Sequence, residues 1–243
     1  MASKKTTSGF WSRVWQIARR VLLFLFVFNL SYVILLRWVN PPFTITQLSN
    51  WIEGNGWYRD YVDREEISAQ AMLAVMASED QNFYKHDGFD WEQIEAAMKH
   101  NEQNPEKIRG ASTISQQTAK NVFLWQGRSY LRKGLEAYFT FLIELIWGKE
   151  RILEVYLNVI EMGKGVFGIE AAARHYFNKP ASQLSRQEAS LIAAILPNPK
   201  RYKIKPPSAY VSRRSRFIQK QMSYIEAIPE IKKLIRSGTK GTY

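Results

Sequence analysis

Three groups of side chains in this sequence have the types and spacing to do chemistry. The first centres on Glu79. Met72, Val75 and Met76 precede it by seven, four and three residues, so on a helix all four share one face. A carboxylate that continues an apolar face is either paired or desolvated, and desolvation makes a carboxylate a stronger base near neutral pH. The competing reading is a glutamate just past the end of the stripe, reaching water. Asp80, Phe83, His86, Gly88 and Asp90 follow closely. That mix of acid, aromatic, imidazole and glycine suits a shaped loop better than a plain connector. The second group is Thr113, Gln117 and Lys120. Spaced i, i+4 and i+7, they line one face near a helix start, where backbone N–H groups attract anions and a hydroxyl and an ammonium extend the site toward a phosphate. A polar solvent-facing surface is the plainer alternative. The third is Arg132, Lys133 and Glu136. An i, i+4 Arg–Glu pair is ordinarily a surface ion pair worth little. Here Leu131, Leu135, Phe139, Leu142 and Ile146 wrap most of the helix, and a helix apolar on nearly all sides is buried or touches lipid.

Other matches carry no chemistry. Gly163 to Gly168 fits GxGxxG but follows a helix rather than a strand, with no βαβ unit around it, so no dinucleotide site is inferred. Ser237-Gly238-Thr239-Lys240 fits SxxK, but four residues from the end it leaves no chain to build the domain that motif serves. His86, His100 and His175 lack metal-ligand spacing, and no metal site is expected. The absence of cysteine excludes thiol catalysis and disulfides.

The elements that must position these groups read as helices, and all-α is the expected fold class. Spacing of i, i+3, i+4 recurs while strict alternation is scarce. Ser68 precedes an apolar run, and Asp90-x-x-Gln93, Thr113-x-x-Gln116 and Ser185-x-x-Glu188 have the capping-box pattern. The pattern predicts helices from Ser129 to Trp147 and from Lys149 to Asn158. A loop is expected over Gly163, Gly165 and Gly168, then a helix over IEAAARHYF. Another helix starts near Ser185 and stops before Pro197, and a last one over Val211 to Ile228 is cut off by Pro229. The polar stretch 101–110, with its proline and glycine, reads as a mobile loop.

Ahead of the domain, Val21 to Leu36 is an apolar run with only Asn29 and Ser31 as clear polar interruptions. Extended over residues 17–39, with flanking arginines snorkelling and Trp11, Trp15 and Trp38 at the interfaces, it reaches the length of a membrane span. A cleaved signal peptide is the rival; the run is long for one, and Asn40-Pro41-Pro42 stands where a small-x-small site would be. Basic residues ahead of the span predict a cytoplasmic N-terminus at residues 1–16 and an external domain at 40–243. The net charge is +12 over 243 residues. Residues 1–40 carry six basic and no acidic side chains, and residues 200–243 twelve basic and two acidic ones, so the middle is acidic. Basic ends fit anionic lipid headgroups, or a simply solvated tail, better than nucleic acid.

Taken together, five blocks resemble the peptidoglycan glycosyltransferase family, which also forms the N-terminal module of bifunctional penicillin-binding proteins. They are SEDQNFYKHDGFD (78–90), RGASTISQQTAKN (109–121), RKGLE (132–136), KERILEVYLNVIEMGKGVFGIEAAARHYF (149–177) and LSRQEASLIAAILPNP (184–199). With no transpeptidase region in sight, the chain looks like the monofunctional form. Ser115 stands where the family often has Thr, and Thr118 where it often has Leu. The resemblance implies a lysozyme-like, all-helical domain behind one transmembrane helix. It also implies polymerisation of lipid II onto a growing glycan strand with loss of undecaprenyl pyrophosphate. By resemblance, Glu79 is the general base and Glu136 the second essential glutamate. Lys120, Arg128, Arg132 and Lys133 neutralise the leaving group, Thr113 and Gln117 position it, and Asp80, Phe83 and His86 shape the loop of the base. No cofactor is required; a divalent cation, Mg2+ or Mn2+, at the donor pyrophosphate is an expectation of the resemblance and not of any ligand spacing. The implied location is the bacterial inner membrane, with the catalytic domain in the periplasm. Membrane lipids and other cell-wall synthesis proteins are the implied partners, and nucleic acid is not. Two rivals stand beside this reading. One is a membrane-bound lytic transglycosylase or muramidase, which would not need the cations at 120, 128, 132 and 133. The other is a non-catalytic cell-wall assembly scaffold, which would not need both glutamates.

Overall fold

The computed structural model describes residues 7–127 and 129–236. Arg128 and the Ser237–Lys240 motif lie outside the described residues. The chain divides into two units, residues 1–39 and 40–243.

The first unit is one helix, α1 (Thr7–Leu35), of 29 residues. Its segment Phe10–Leu35 is long and apolar enough to cross a membrane, with an 18-residue window of mean hydropathy 1.8. The helix starts earlier than the expected span and stops four residues short of its end. Beyond it, the Arg37 guanidinium lies over the Trp38 ring, 5.4 Å from its centroid.

The second unit is built from α2 (Ile45–Ile52), α3 (Ala69–Glu79), α4 (Trp91–Gln103), α5 (Ile114–Phe123), α6 (Tyr130–Ile146), α7 (Gly148–Val159), α8 (Ile169–Phe177), α9 (Arg186–Ile195), α10 (Ala209–Ile225) and α11 (Pro229–Arg236). Three short strands, β1 (Tyr58–Arg59), β2 (Glu161–Gly163) and β3 (Val166–Phe167), form a small sheet in the order β1-β3-β2. The β1–β3 pair is parallel and the β2–β3 pair antiparallel. The fold is all-α, as expected.

The helix starts follow the capping signals. The Ser68 hydroxyl accepts from Ala71 N, and complete capping boxes form at Thr113–Gln116 and Ser185–Glu188. Asp90 caps α4 by accepting from Gln93 N. The Gln93 side chain does not close that box; its oxygen takes a hydrogen bond from Arg109 at 2.9 Å. The expected loop at 101–110 begins later, because α4 runs through Gln103. Two features went unread. Thr44-x-x-Gln47 is a complete capping box that starts α2, and the glycines at 163–168 turn a β-hairpin rather than a loop. Pro229 does not end a helix running to Ile228. α10 stops at Ile225 and Pro229 opens α11, because a proline in the first helical turn loses no hydrogen bond and brings a helical φ.

α3 is the central strut. Every residue from Ala71 to Ala77 is buried, and the helix packs against α9 and α10. α5 packs against α6 and α7, with Phe123 stacked on Phe139 at 4.5 Å between ring centroids. Gly148, at φ +76°, lets the chain turn from α6 directly into α7. The first of these bundles carries Glu79 and the second the cations.

Candidate active site

α3 ends on Glu79 because Asp80 leaves helical geometry at φ −161°, ψ 81°. Glu79 is therefore half-buried at the rim of a buried helix. Its Oε2 accepts from Gln117 Nε2 at 3.0 Å, and its Oε1 faces Ser78 Oγ at 3.1 Å. Gln117 lies on α5, and its own Oε1 accepts from the Tyr156 hydroxyl of α7 at 3.2 Å.

Asp80 ties the loop. Its Oδ2 accepts from Ile114 N at 2.9 Å and from His86 Nε2 at 3.0 Å. His86 Nδ1 accepts from Gly88 N at 3.1 Å, so the ring proton sits on Nε2 and points at Asp80. Phe83 is fully buried beneath this loop, with the Lys149 ammonium 4.7 Å from its ring centroid. Lys149 also donates to the His86 carbonyl and to Glu144 Oε1, which takes a further bond from Ser115. Gly88 closes the loop at φ +92°, where a Cβ would come 2.7 Å from Thr140 Cγ2. The Thr113 hydroxyl donates to Gly88 O at 2.7 Å and accepts from Gln116 N at 3.1 Å. Its hydrogen is thus committed to holding α5 against the loop.

A cleft of about 720 Å³ opens over Glu79, walled by Asn82, Gln93, Arg109, Arg214 and Phe217. Of the expected residues it gathers Glu79, Asp80, Thr113 and Gln117. The cations stand apart from its wall. Glu136 is buried on α6, with its two oxygens taken by Arg132 Nη1 at 2.7 Å and by Lys133 Nζ. The Arg132–Glu136 pair is far from a surface ion pair, with side chains 11% and 4% exposed. Lys120 feels both carboxylates: burial lowers its pKa, Glu136 and Glu79 raise it, and Arg132 and Lys133 lower it. The Lys120 side chain makes no hydrogen bond or ion pair among the described residues. Three cations thus act on one carboxylate, leaving net positive charge within electrostatic reach of Glu79.

The family model described as "Transglycosylase" matches residues 46–223. The chain belongs to the transglycosylase family. It is 52% identical over 213 residues to the biosynthetic peptidoglycan transglycosylase of Aeromonas hydrophila, covering 86% of this chain and 90% of that protein. It is 51% identical over 218 residues to proteins of the same name from Yersinia pseudotuberculosis and Yersinia pestis, covering 87% of this chain and 90% of each. The matched stretch of this transglycosylase includes Glu79 and Glu136, the loop between Asp80 and Asp90, and the cation cluster.

Sequence reasoning passed over several side chains that hold this transglycosylase site together. Lys149 and Glu144 fasten the loop after Glu79 to α6 and α7, and Tyr156 backs Gln117. Arg109 and Arg214 wall the cleft. Arg109 had a signal, lying at the head of the 109–121 block. Tyr156 had none, because an aromatic in an apolar helix reads as core.

Proposed function

We propose that this transglycosylase joins lipid II units into the β-1,4-linked glycan strands of peptidoglycan. Glu79 acts as general base, and undecaprenyl pyrophosphate leaves with inversion. The observation that carries the reading is Lys120, a half-buried cation within electrostatic reach of both Glu79 and Glu136. It puts a carboxylate base next to a site of net positive charge, which is what transfer from a pyrophosphate donor requires.

Glu79 takes the proton from the 4-hydroxyl of the acceptor GlcNAc in the cleft. The oxygen attacks C1 of the donor MurNAc, and the bond from C1 to the pyrophosphate oxygen breaks with its electron pair leaving on the pyrophosphate. Attack opposite the α-linked leaving group gives a β bond. Lys120, Arg132 and Lys133 stabilise the negative charge that develops there. Arg128, next in sequence to α6, adds a cation in this reading. Glu136 keeps the cations from repelling one another. The donor set gives a protein-held Mg2+ or Mn2+ little to bind, since both Glu136 oxygens are already taken. Any divalent cation would come with the pyrophosphate, and no step needs it. The lipid tails of donor and acceptor stay in the bilayer, which fits α1 as a single-pass anchor in the inner membrane, with the N-terminus cytoplasmic and the domain periplasmic. The outward apolar residues of α6, Leu131, Phe141 and Leu145, suit contact with lipid. Other cell-wall synthesis proteins are natural partners for such an enzyme.

The rival is a lytic enzyme on the same fold. The purified protein offered lipid II and preformed, uncrosslinked glycan strands together separates the two. Consumption of lipid II with intact strands supports synthesis; shortened strands with untouched lipid II would replace it with lysis.

The state of Lys120 gives a pH test. Its lowered pKa means that, as pH rises, the site loses a positive charge where an ordinary lysine would still carry one. The alkaline limb of kcat/KM is therefore expected below the usual lysine range, and Lys120→Arg should move that limb up because guanidinium stays charged. An alkaline limb unmoved by Lys120→Arg would remove Lys120 from the leaving-group site.

A further inference from the structure

We infer that Tyr156 is a positioning residue for the base: its hydroxyl fixes the Gln117 amide so that the N–H end is presented to Glu79. The inference rests on the reading of Glu79 as general base. Three helices contribute to the chain of contacts, α7 with Tyr156, α5 with Gln117 and α3 with Glu79. The hydroxyl donates to Gln117 Oε1 at 3.2 Å, and Gln117 Nε2 donates to Glu79 Oε2 at 3.0 Å.

The direction of this chain is set from both ends. An ionised carboxylate only accepts hydrogen bonds, so the end of the amide facing Glu79 must be its NH2. The opposite end is then a carbonyl and needs a donor. Tyr156 is fully buried, and burial, with Glu79 and Asp80 adding to it, raises its pKa well above the ordinary value. Its hydroxyl keeps its proton across the working range and serves as that donor. Gln117 is the hydroxyl's one hydrogen-bond partner among the described residues. With the amide reversed, Gln117 Oε1 would face the carboxylate oxygen and repel it.

The consequence for the reaction is geometric. Gln117 occupies Glu79 Oε2, so Oε1 is the oxygen left for the acceptor hydroxyl. Ser78 has a single hydroxyl hydrogen to divide between Glu79 Oε1 at 3.1 Å and the Ala193 carbonyl at 3.3 Å. It can turn to Ala193 when the acceptor arrives. Tyr156 thereby selects which oxygen of the base works, without touching substrate.

The test compares the full-length wild type, Tyr156→Phe, Gln117→Ala and the double variant in polymerisation of labelled lipid II, with Tm measured for each. Tyr156→Phe keeps the ring and removes only the hydroxyl. The expected result is a fall in kcat of about ten-fold, the size of the one hydrogen bond lost to Gln117, with KM for lipid II and Tm unchanged. In the Gln117→Ala background the same substitution should cost nothing further, because its route to Glu79 is gone. Unchanged kcat in Tyr156→Phe would overturn the inference. So would a loss that comes with a lower Tm and adds in full to that of Gln117→Ala, the behaviour of a purely structural tyrosine. A wild type that makes no polymer would overturn the reading of Glu79 as transferase base, and this inference with it.

Discussion

Glu136→Ala is expected to lower both stability and polymerisation, and by more than any other change in the cation cluster. In the folded protein its two oxygens hold Arg132 and Lys133, and its charge steadies Lys120. The Arg132 side chain is only 11% accessible and cannot turn freely to water. Removing the carboxylate leaves that guanidinium buried beside two further cations. A broken buried pair costs about 3 kcal/mol or more, which for a domain of this size is a Tm loss of roughly 6–12 °C. Lys133, half-exposed, adds little to that figure. Polymerisation should fall at least about 100-fold, because mutually repelling cations no longer converge on the leaving group. Glu136→Gln separates the two effects. It retains an acceptor for Arg132 and should keep most of the Tm, yet still lose activity. Full activity and an unchanged Tm in Glu136→Ala would show that the cluster does not depend on its carboxylate.

The second large effect belongs to Glu79→Gln. The two side chains have the same shape, and Gln117 can donate to an amide oxygen as it does to Glu79 Oε2. The fold, the cleft and KM for lipid II should all survive. What disappears is the proton acceptor, and a lost general base costs about 10²–10⁴-fold in kcat. Glu79→Asp should fall between the two, because it keeps the charge but withdraws it by one methylene from a hydroxyl it must meet at hydrogen-bond distance. Wild-type kcat in Glu79→Gln would take the base role away from this residue, even with the family assignment intact.

How much of this was legible in the sequence depended on how local the signal was. Helix starts were, because a cap is written within four residues: Thr113 and Gln116, or Ser185 and Glu188, announce themselves. Pro229 was misread for the same reason that makes it informative. Proline is equally at home after a helix and in the first turn of one, and only the neighbouring packing of Ile231, Leu234 and Ile235 decides. The apolar stripe before Glu79 was an incomplete argument. α3 is buried all round from Ala71 to Ala77, so it has no polar face to contrast with, and what marks Glu79 is its place at the helix end. The ion pair on α6 could not be told from a surface pair by spacing alone, since burial of Glu136 is supplied by α5 and α7. The chain from Tyr156 through Gln117 to Glu79 was invisible. Its links join residues 39 and 38 positions apart, and no local pattern records such contacts.

The most direct test of the central claim, glycosyl transfer with a pyrophosphate leaving group, is the stoichiometry of the reaction. The full-length protein in lipid or detergent is given lipid II labelled in both sugar and prenyl chain, and bonds formed are counted against undecaprenyl pyrophosphate released. The account predicts one pyrophosphate released for each bond made, and a product that a β-1,4-specific muramidase degrades completely. Bond formation without that release, or a product resistant to the muramidase, would contradict it.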